Sequence, residues 1–183
     1  FQLEAWEESR DYYGLFVDEK GSDLSDDELA DIYLQMGEAS LKLDDLDAAG
    51  EYLDRSLDHR PGNLDALKRV ILIAEAREDW EGTISRKREL LPMLEEDLDR
   101  FQLQMSIGDI YRERFGDTAS AMDAYQDALH YGAFSKAPLL QLLQIFSEQG
   151  NFEEATTVLD KLLELEEEDD KVARWAWTAA VMC

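Results

Sequence analysis

A small residue returns along this chain at a nearly fixed distance. Ala49, Thr83, Ala121 and Ala155 are 34, 38 and 34 residues apart, each among similar apolar neighbours. A period of that length belongs to a supersecondary unit stacked on copies of itself, because one such unit cannot bury its apolar face alone. The clearest copy is Gly108–Leu129. There Gly108 and Tyr111 precede a turn at Gly116-Asp117, and Ala121, Tyr125, Ala128 and Leu129 follow it. Small residues let two helices approach closely, and the large ones fill the space beside them. The interval of 38 holds four extra residues, three before Phe101 and one between Gly108 and Gly116. Three or four residues are close to one helical turn, so the added length is expected to extend a helix while keeping its face.

Apolar spacing and capping signals place the elements. Leu3, Trp6, Tyr13 and Val17, with Tyr12 and Phe16 alongside, predict a helix over residues 1–17, and Asp18–Leu24 is a polar connector. Ser25 and Glu28 form a capping-box pattern, opening a helix that carries Ile32, Tyr33, Met36 and Gly37 to about Leu43. Asp44 and Asp45 turn the chain, and Leu46, Ala49, Leu53 and Leu57 return until Pro61 and Gly62 stop it; Asn63 caps the next helix. Leu67, Val70, Ile71 and Ala74, then Asp79, Trp80, Ile84 and Leu90, outline a second hairpin that Pro92 should kink or shorten. A long element from about Glu95 to Phe115 leads into the third. The fourth starts near Ser135, with Pro138 in its first turn, Leu139, Leu142, Leu143 and Phe146 following, and Phe152, Ala155, Leu159, Leu162 and Leu163 after the Gly150-Asn151 turn. A last helix is expected from Lys171 to Cys183. The domain reading is an N-terminal helix and connector over 1–24, hairpins at about 26–63, 64–97, 98–134 and 135–167, and a further helix, truncated or end-capping, over 168–183.

This pattern resembles the tetratricopeptide repeat (TPR) family over about residues 26–167. Tyr33, Met36, Gly37, Ala49, Leu53 and Pro61 match the family's motif in the first unit. Gly108, Tyr111, Ala121, Tyr125 and Ala128 match in the third, and Leu139, Leu142, Phe146, Ala155 and Leu159 in the fourth. The second unit departs, with Ile71 where glycine is usual and Thr83 where alanine is usual, which puts local helix packing there in question. The resemblance implies an all-α, right-handed superhelical solenoid of antiparallel helix-turn-helix repeats. It also implies a concave groove lined by the first helix of each pair. The residues expected there are Leu34, Glu38 and Leu41; Lys68, Arg69, Leu72 and Glu75; Met105, Asp109 and Arg112; and Leu140, Gln144 and Ser147. One subtype of the family grips a terminal carboxylate with a fixed basic and amide set. The matching positions here are Leu34, Glu38, Arg69, Gln102 and Ser106, of which only Arg69 is basic, so that activity is disfavoured.

Catalytic signals are missing from the sequence. Both histidines, His59 and His130, fall near the ends of returning helices, where a surface residue interacts favourably with the C-terminal dipole. No zinc-protease, phosphate-loop or nucleophile-elbow motif occurs. Asp45–Gly50 begins like a calcium loop but has alanine at its fifth position and Ser56 where a bidentate glutamate is needed. The acidic run Glu166–Asp170 reads as a solvated junction. No cofactor or metal is expected.

Net charge is −25, from 43 acidic against 18 basic residues. Such a surface repels nucleic acid and anionic lipid and suits a basic protein or peptide, although a salt-adapted cytoplasm selects the same composition. Residues 66–88 run against the trend, with six basic and four acidic side chains, and internal ion pairs are expected to absorb most of them. The single cysteine, Cys183, excludes an internal disulfide framework; no apolar run reaches the length of a membrane span, and no signal peptide is visible. Cytoplasmic placement is the expectation. From Val172 to Cys183 only Arg174 and Thr178 are clearly polar, so further repeats or self-association are expected at that end, and the chain, beginning with Phe, reads as a fragment of something longer. The functional reading is a non-catalytic scaffold or adaptor presenting a groove to a protein or peptide segment. The second reading is a regulatory or oligomerising arm of a larger enzyme or signalling protein.

Overall fold

The computed structural model describes residues 2–132 and 134–165, with side chains from Ala5 onward. The acidic run from Glu166 and the helix expected from Lys171 lie outside the described residues. Nine α-helices run through the described residues: α1 (Gln2–Lys20), α2 (Asp26–Lys42), α3 (Leu46–His59), α4 (Leu64–Ala76), α5 (Trp80–Leu90), α6 (Asp97–Ile110), α7 (Thr118–Tyr131), α8 (Lys136–Glu148) and α9 (Phe152–Glu164). They fall into two compact units, one ending at Met93 and the other beginning at Leu94. In the first, α1 packs on α2, α2 on α3, α3 on α4 and α4 on α5. In the second, α6 packs on α7, α7 on α8 and α8 on α9.

Each hairpin turns on one local device. A residue in the left-handed region (Asp44, Glu78, Gly116 or Gly150) ends the first helix, and an Asp or Asn follows it. In three hairpins that second residue donates its N–H back to the carbonyl five residues earlier: Asp45 to Ser40, Asp79 to Ala74 and Asn151 to Phe146. This satisfies a carbonyl the helix end would leave bare. The side chains of Asp45, Asp79 and Asp117 then cap the returning helices, accepting from the N–H groups of Ala48, Gly82 and Ser120. Asn63 caps α4 in the same way, and Ser25 with Glu28 closes both halves of the predicted capping box. Pro92 lies in a 3₁₀ turn, Leu91–Met93, directly after α5 ends at Leu90.

The third hairpin differs, and the difference corrects one expectation. Its first helix does begin about a turn earlier relative to its motif than α4 does. The single extra residue between Gly108 and Gly116, however, is not accommodated as α-helix. Tyr111–Phe115 forms a π turn, and Asp117 donates to the carbonyl of Tyr111, six residues back. One residue added to an α-helix would rotate everything beyond it by about 100°, whereas a π turn absorbs it and keeps the face.

The packing seam within each hairpin explains where glycine is needed. A β-carbon at Gly37 would lie 2.6 Å from Leu53 Cγ, and one at Gly108 would lie 2.5 Å from Tyr125 Cε1. In the second hairpin the corresponding pair is Ile71 and Lys87. The unbranched lysine stem leaves room for isoleucine, and both residues are buried. Lys87 Nζ reaches Glu75 Oε1 at 2.7 Å, which pairs its charge. Thr83, also buried, turns its hydroxyl back to the Asp79 carbonyl at 2.7 Å, so it fits an alanine position. The departures from the repeat pattern are thus compensated inside the hairpin that carries them.

Candidate functional site

The first helices of the hairpins, with the π turn that continues α6, carry every residue expected to line a groove. In the first unit α2 presents Leu34, Glu38 and Leu41, all half-buried, and α4 presents Lys68, Arg69, Leu72 and Glu75. Arg69 ion-pairs with Glu38 and donates to the Asp65 carbonyl at 3.0 Å, tying α4 to α2. Glu75 is held by Lys87. Leu72 is 63% exposed and Lys68 also faces solvent, so these two side chains are the accessible part of the α4 row.

The second unit uses the same kind of tie with different residues. Arg112, in the π turn, donates to Gln141 Oε1 at 2.5 Å and to Glu148 Oε1 at 3.1 Å, with Gln144 Oε1 at 3.4 Å. Gln144 in turn donates to Glu148 at 2.8 Å. Asp109 accepts the Tyr125 hydroxyl at 2.8 Å, and burial together with that carboxylate pushes the phenol's pKa up from 10.0. Met105 packs against the buried cluster around Tyr125 and Leu142, and Ser147 donates to the Leu143 carbonyl at 2.7 Å. Leu140, 41% exposed, and Gln144 are left facing solvent.

Most of the polar residues expected to receive a ligand are therefore engaged in holding helices together. Asp109 and Arg112, expected in the groove lining, are held by Tyr125 and by Gln141 and Glu148 respectively. The signal was present in the sequence as acceptors about one repeat further on, at positions facing the arginine. The carboxylate-gripping set fares worse still, since its one base, Arg69, is paired with Glu38. Most of the basic stretch 66–88 is likewise spent internally: besides Arg69 and Lys87, Arg77 pairs with Asp47 at 2.5 Å, and Arg86 pairs with Asp54 at 2.8 Å and Glu89 at 3.1 Å. Asp45, at the start of the calcium-loop-like segment, caps α3 and pairs with Arg10 at 3.2 Å. His59 stacks on Tyr33 with ring centroids 5.7 Å apart and bonds Asp26 at 2.9 Å. Among the described residues no helix is long and apolar enough to cross a membrane.

Residues 30–63 and 138–169 match the model of the tetratricopeptide repeat family. Those two segments carry tetratricopeptide repeats. The two matched TPR segments cover the hairpins α2–α3 and α8–α9, which have neither the Ile71–Lys87 seam nor the π turn. No curated protein matches the chain in sequence. Several solved structures share its fold. One crystal structure of MamA is 14% identical, with 87% of each chain covered and a TM-score of 0.55. A second MamA structure, from AMB-1, is 18% identical, covering 92% of this chain and 96% of its own, at 0.56. YrrB, described as a TPR protein with an unusual peptide-binding site, is 15% identical, covering 93% of this chain and 81% of its own, at 0.53. Identities this low speak to the fold alone.

Proposed function

We propose that this chain is a non-catalytic interaction module, a scaffold or adaptor, that holds a protein or peptide segment against the first helices of its TPR hairpins. The observation that carries this reading is Leu72, a large apolar side chain left 63% exposed on α4 beside the Arg69–Glu38 tie, with Leu34 and Leu41 half-buried on α2. Apolar side chains set among fixed polar groups are what a peptide groove requires. The peptide-binding site reported for YrrB, which shares the fold, supports the same reading. A net charge of −25 favours a partner with basic character.

The accessible groups make the better probes. Reversing Arg69 or Arg112 would break helix-to-helix ties as well as any ligand contact. A photo-crosslinking residue at Leu72 should capture a defined partner that one at Asp58, on the exposed side of α3, does not. Leu72→Asp should abolish binding of that partner, a loss of at least about tenfold in affinity, with unchanged helicity. Equal capture from both positions, or binding indifferent to Leu72→Asp, would refute the reading.

A further inference from the structure

Outside the TPR hairpins, α1 carries a surface that the groove reading does not use. Its half-buried residues, Ser9, Arg10, Tyr13, Gly14 and Val17, lie on one side of the helix, which packs on α2. On the other side Tyr12, Leu15 and Phe16 are exposed, the first two at 65% each. Their spacing of i, i+3 and i+4 sets them on one stripe, and the Tyr12 and Phe16 rings stack with centroids 6.4 Å apart. Acidic side chains border the stripe: Glu8, Asp11, Asp18 and Glu19 are all exposed.

Beside the stripe a cleft of about 360 Å³ opens between α1, α2 and α3. Gly14, Leu15, Met36 and Tyr52 give it an apolar lining, while Asp11 and Asp18 stand two helical turns apart along its rim. Arg10, the base that also lines it, is committed to Asp45. Neither Asp11 nor Asp18 forms an ion pair among the described residues.

We infer that this face of α1 docks a basic amphipathic helix from a partner protein. Its apolar side lies on Tyr12, Leu15 and Phe16, and one lysine or arginine enters the cleft. The stem of that residue covers Met36 and Leu15, and its charge sits between Asp11 and Asp18, as long cationic side chains do when an apolar wall ends in a carboxylate. Charge selects this occupant over a second copy of the chain. Residues 2–20 hold six acids and two bases, so two such faces would repel, whereas a cationic helix is drawn in.

The test uses fluorescence anisotropy with three labelled synthetic helices: a lysine–leucine amphipathic helix, its glutamate–leucine counterpart, and a scramble of the first with no apolar face. The intact 183-residue chain should bind the first and neither of the others. The pair Asp11→Asn with Asp18→Asn should weaken binding about tenfold or more, as should Tyr12→Ser with Leu15→Ser, at unchanged circular dichroism. Glu153→Gln with Glu154→Gln, which removes two exposed acids from α9, should leave it unchanged. An equal loss in that control would reduce the effect to diffuse attraction and overturn the inference, as would tight binding of the scramble or no binding at all. Dimerisation of the chain that Leu15→Ser abolishes would overturn it in favour of a second copy.

Discussion

Tyr125 and Gly108 meet across the third hairpin with no space for a β-carbon between them, and this contact decides how closely α6 and α7 approach. The tyrosine is fully buried and its hydroxyl is fixed on Asp109, so the ring cannot swing aside without losing a hydrogen bond to a carboxylate. Gly108→Ala should therefore cost about 2 kcal/mol, through overpacking. Combining it with Tyr125→Ala, which removes the ring that the new β-carbon would strike, should cost less than the sum of the two single changes. Urea denaturation of the four proteins in a double-mutant cycle checks this; strict additivity would show that the two residues do not press on each other. The second hairpin has already met the same constraint with Ile71 against Lys87. That solution was hidden in the sequence because it depends on two residues 16 apart whose compatibility only the packed seam reveals. The small and large positions of the third hairpin were legible for the opposite reason, since their spacing recurs along the chain even where the residue types differ, as at Ile71, Thr83 and Lys87.

At the scale of the element, the turns carry the strongest local rules and the most direct tests. Glu78 sits at φ 57° and Gly116 at φ 63°, in the same role of ending a first helix. A side chain in that region costs about 1–2 kcal/mol, which glycine avoids while giving back some entropy to the unfolded chain. Glu78→Gly should stabilise the protein by about 1 kcal/mol and Gly116→Ala should destabilise it by a similar amount, read as shifts of the urea midpoint at constant slope. The caps respond to acid. Hydrogen bonds from the Ser120 hydroxyl and backbone N–H hold the Asp117 carboxyl below its ordinary pKa of 3.8, so the folded protein binds that proton less readily than the unfolded chain. The stabilisation is complete above the ordinary value and disappears as pH falls through the lower folded value. The stability gap between the native chain and Asp117→Ala should accordingly narrow from about pH 7 to about pH 3, and a gap independent of pH would show that the charge is irrelevant to the cap. Hairpin existence and turn positions were readable from such Asp, Asn and Gly signals. The π turn was not, because a one-residue insertion leaves helix propensity unchanged and its resolution depends on which faces must stay in register. The groove was legible only as a row of positions. Which of them remain accessible depended on the ties from Arg69, Lys87 and Arg112, long-range pairings that no local pattern encodes.

Across the whole molecule the excess of acid is spread evenly. Up to Met93 there are 24 acidic and 11 basic residues, and from Leu94 there are 19 and 7, so the two units carry −13 and −12. An even spread is the signature of general self-repulsion rather than of one docking patch, so what sets the α1 face apart is its apolar stripe and cleft and not charge alone. The described ion pairs act in the other direction, but most are solvent-exposed and worth at most about 1 kcal/mol each. Repulsion among many like charges at long range is screened over about 10 Å at 0.1 M salt and about 3 Å at 1 M, whereas pairs in direct contact at 2.5–3.2 Å lose less. The balance predicts that the melting temperature rises as sodium chloride is raised from low concentration, with most of the gain made below about 0.5 M, where screening of long-range repulsion is largely complete. Thermal melts followed by circular dichroism across a chloride series give the answer. A falling melting temperature over that range would mean that the contact pairs, Arg60 with Asp27 and Asp31 foremost among them, outweigh the net charge in holding the fold.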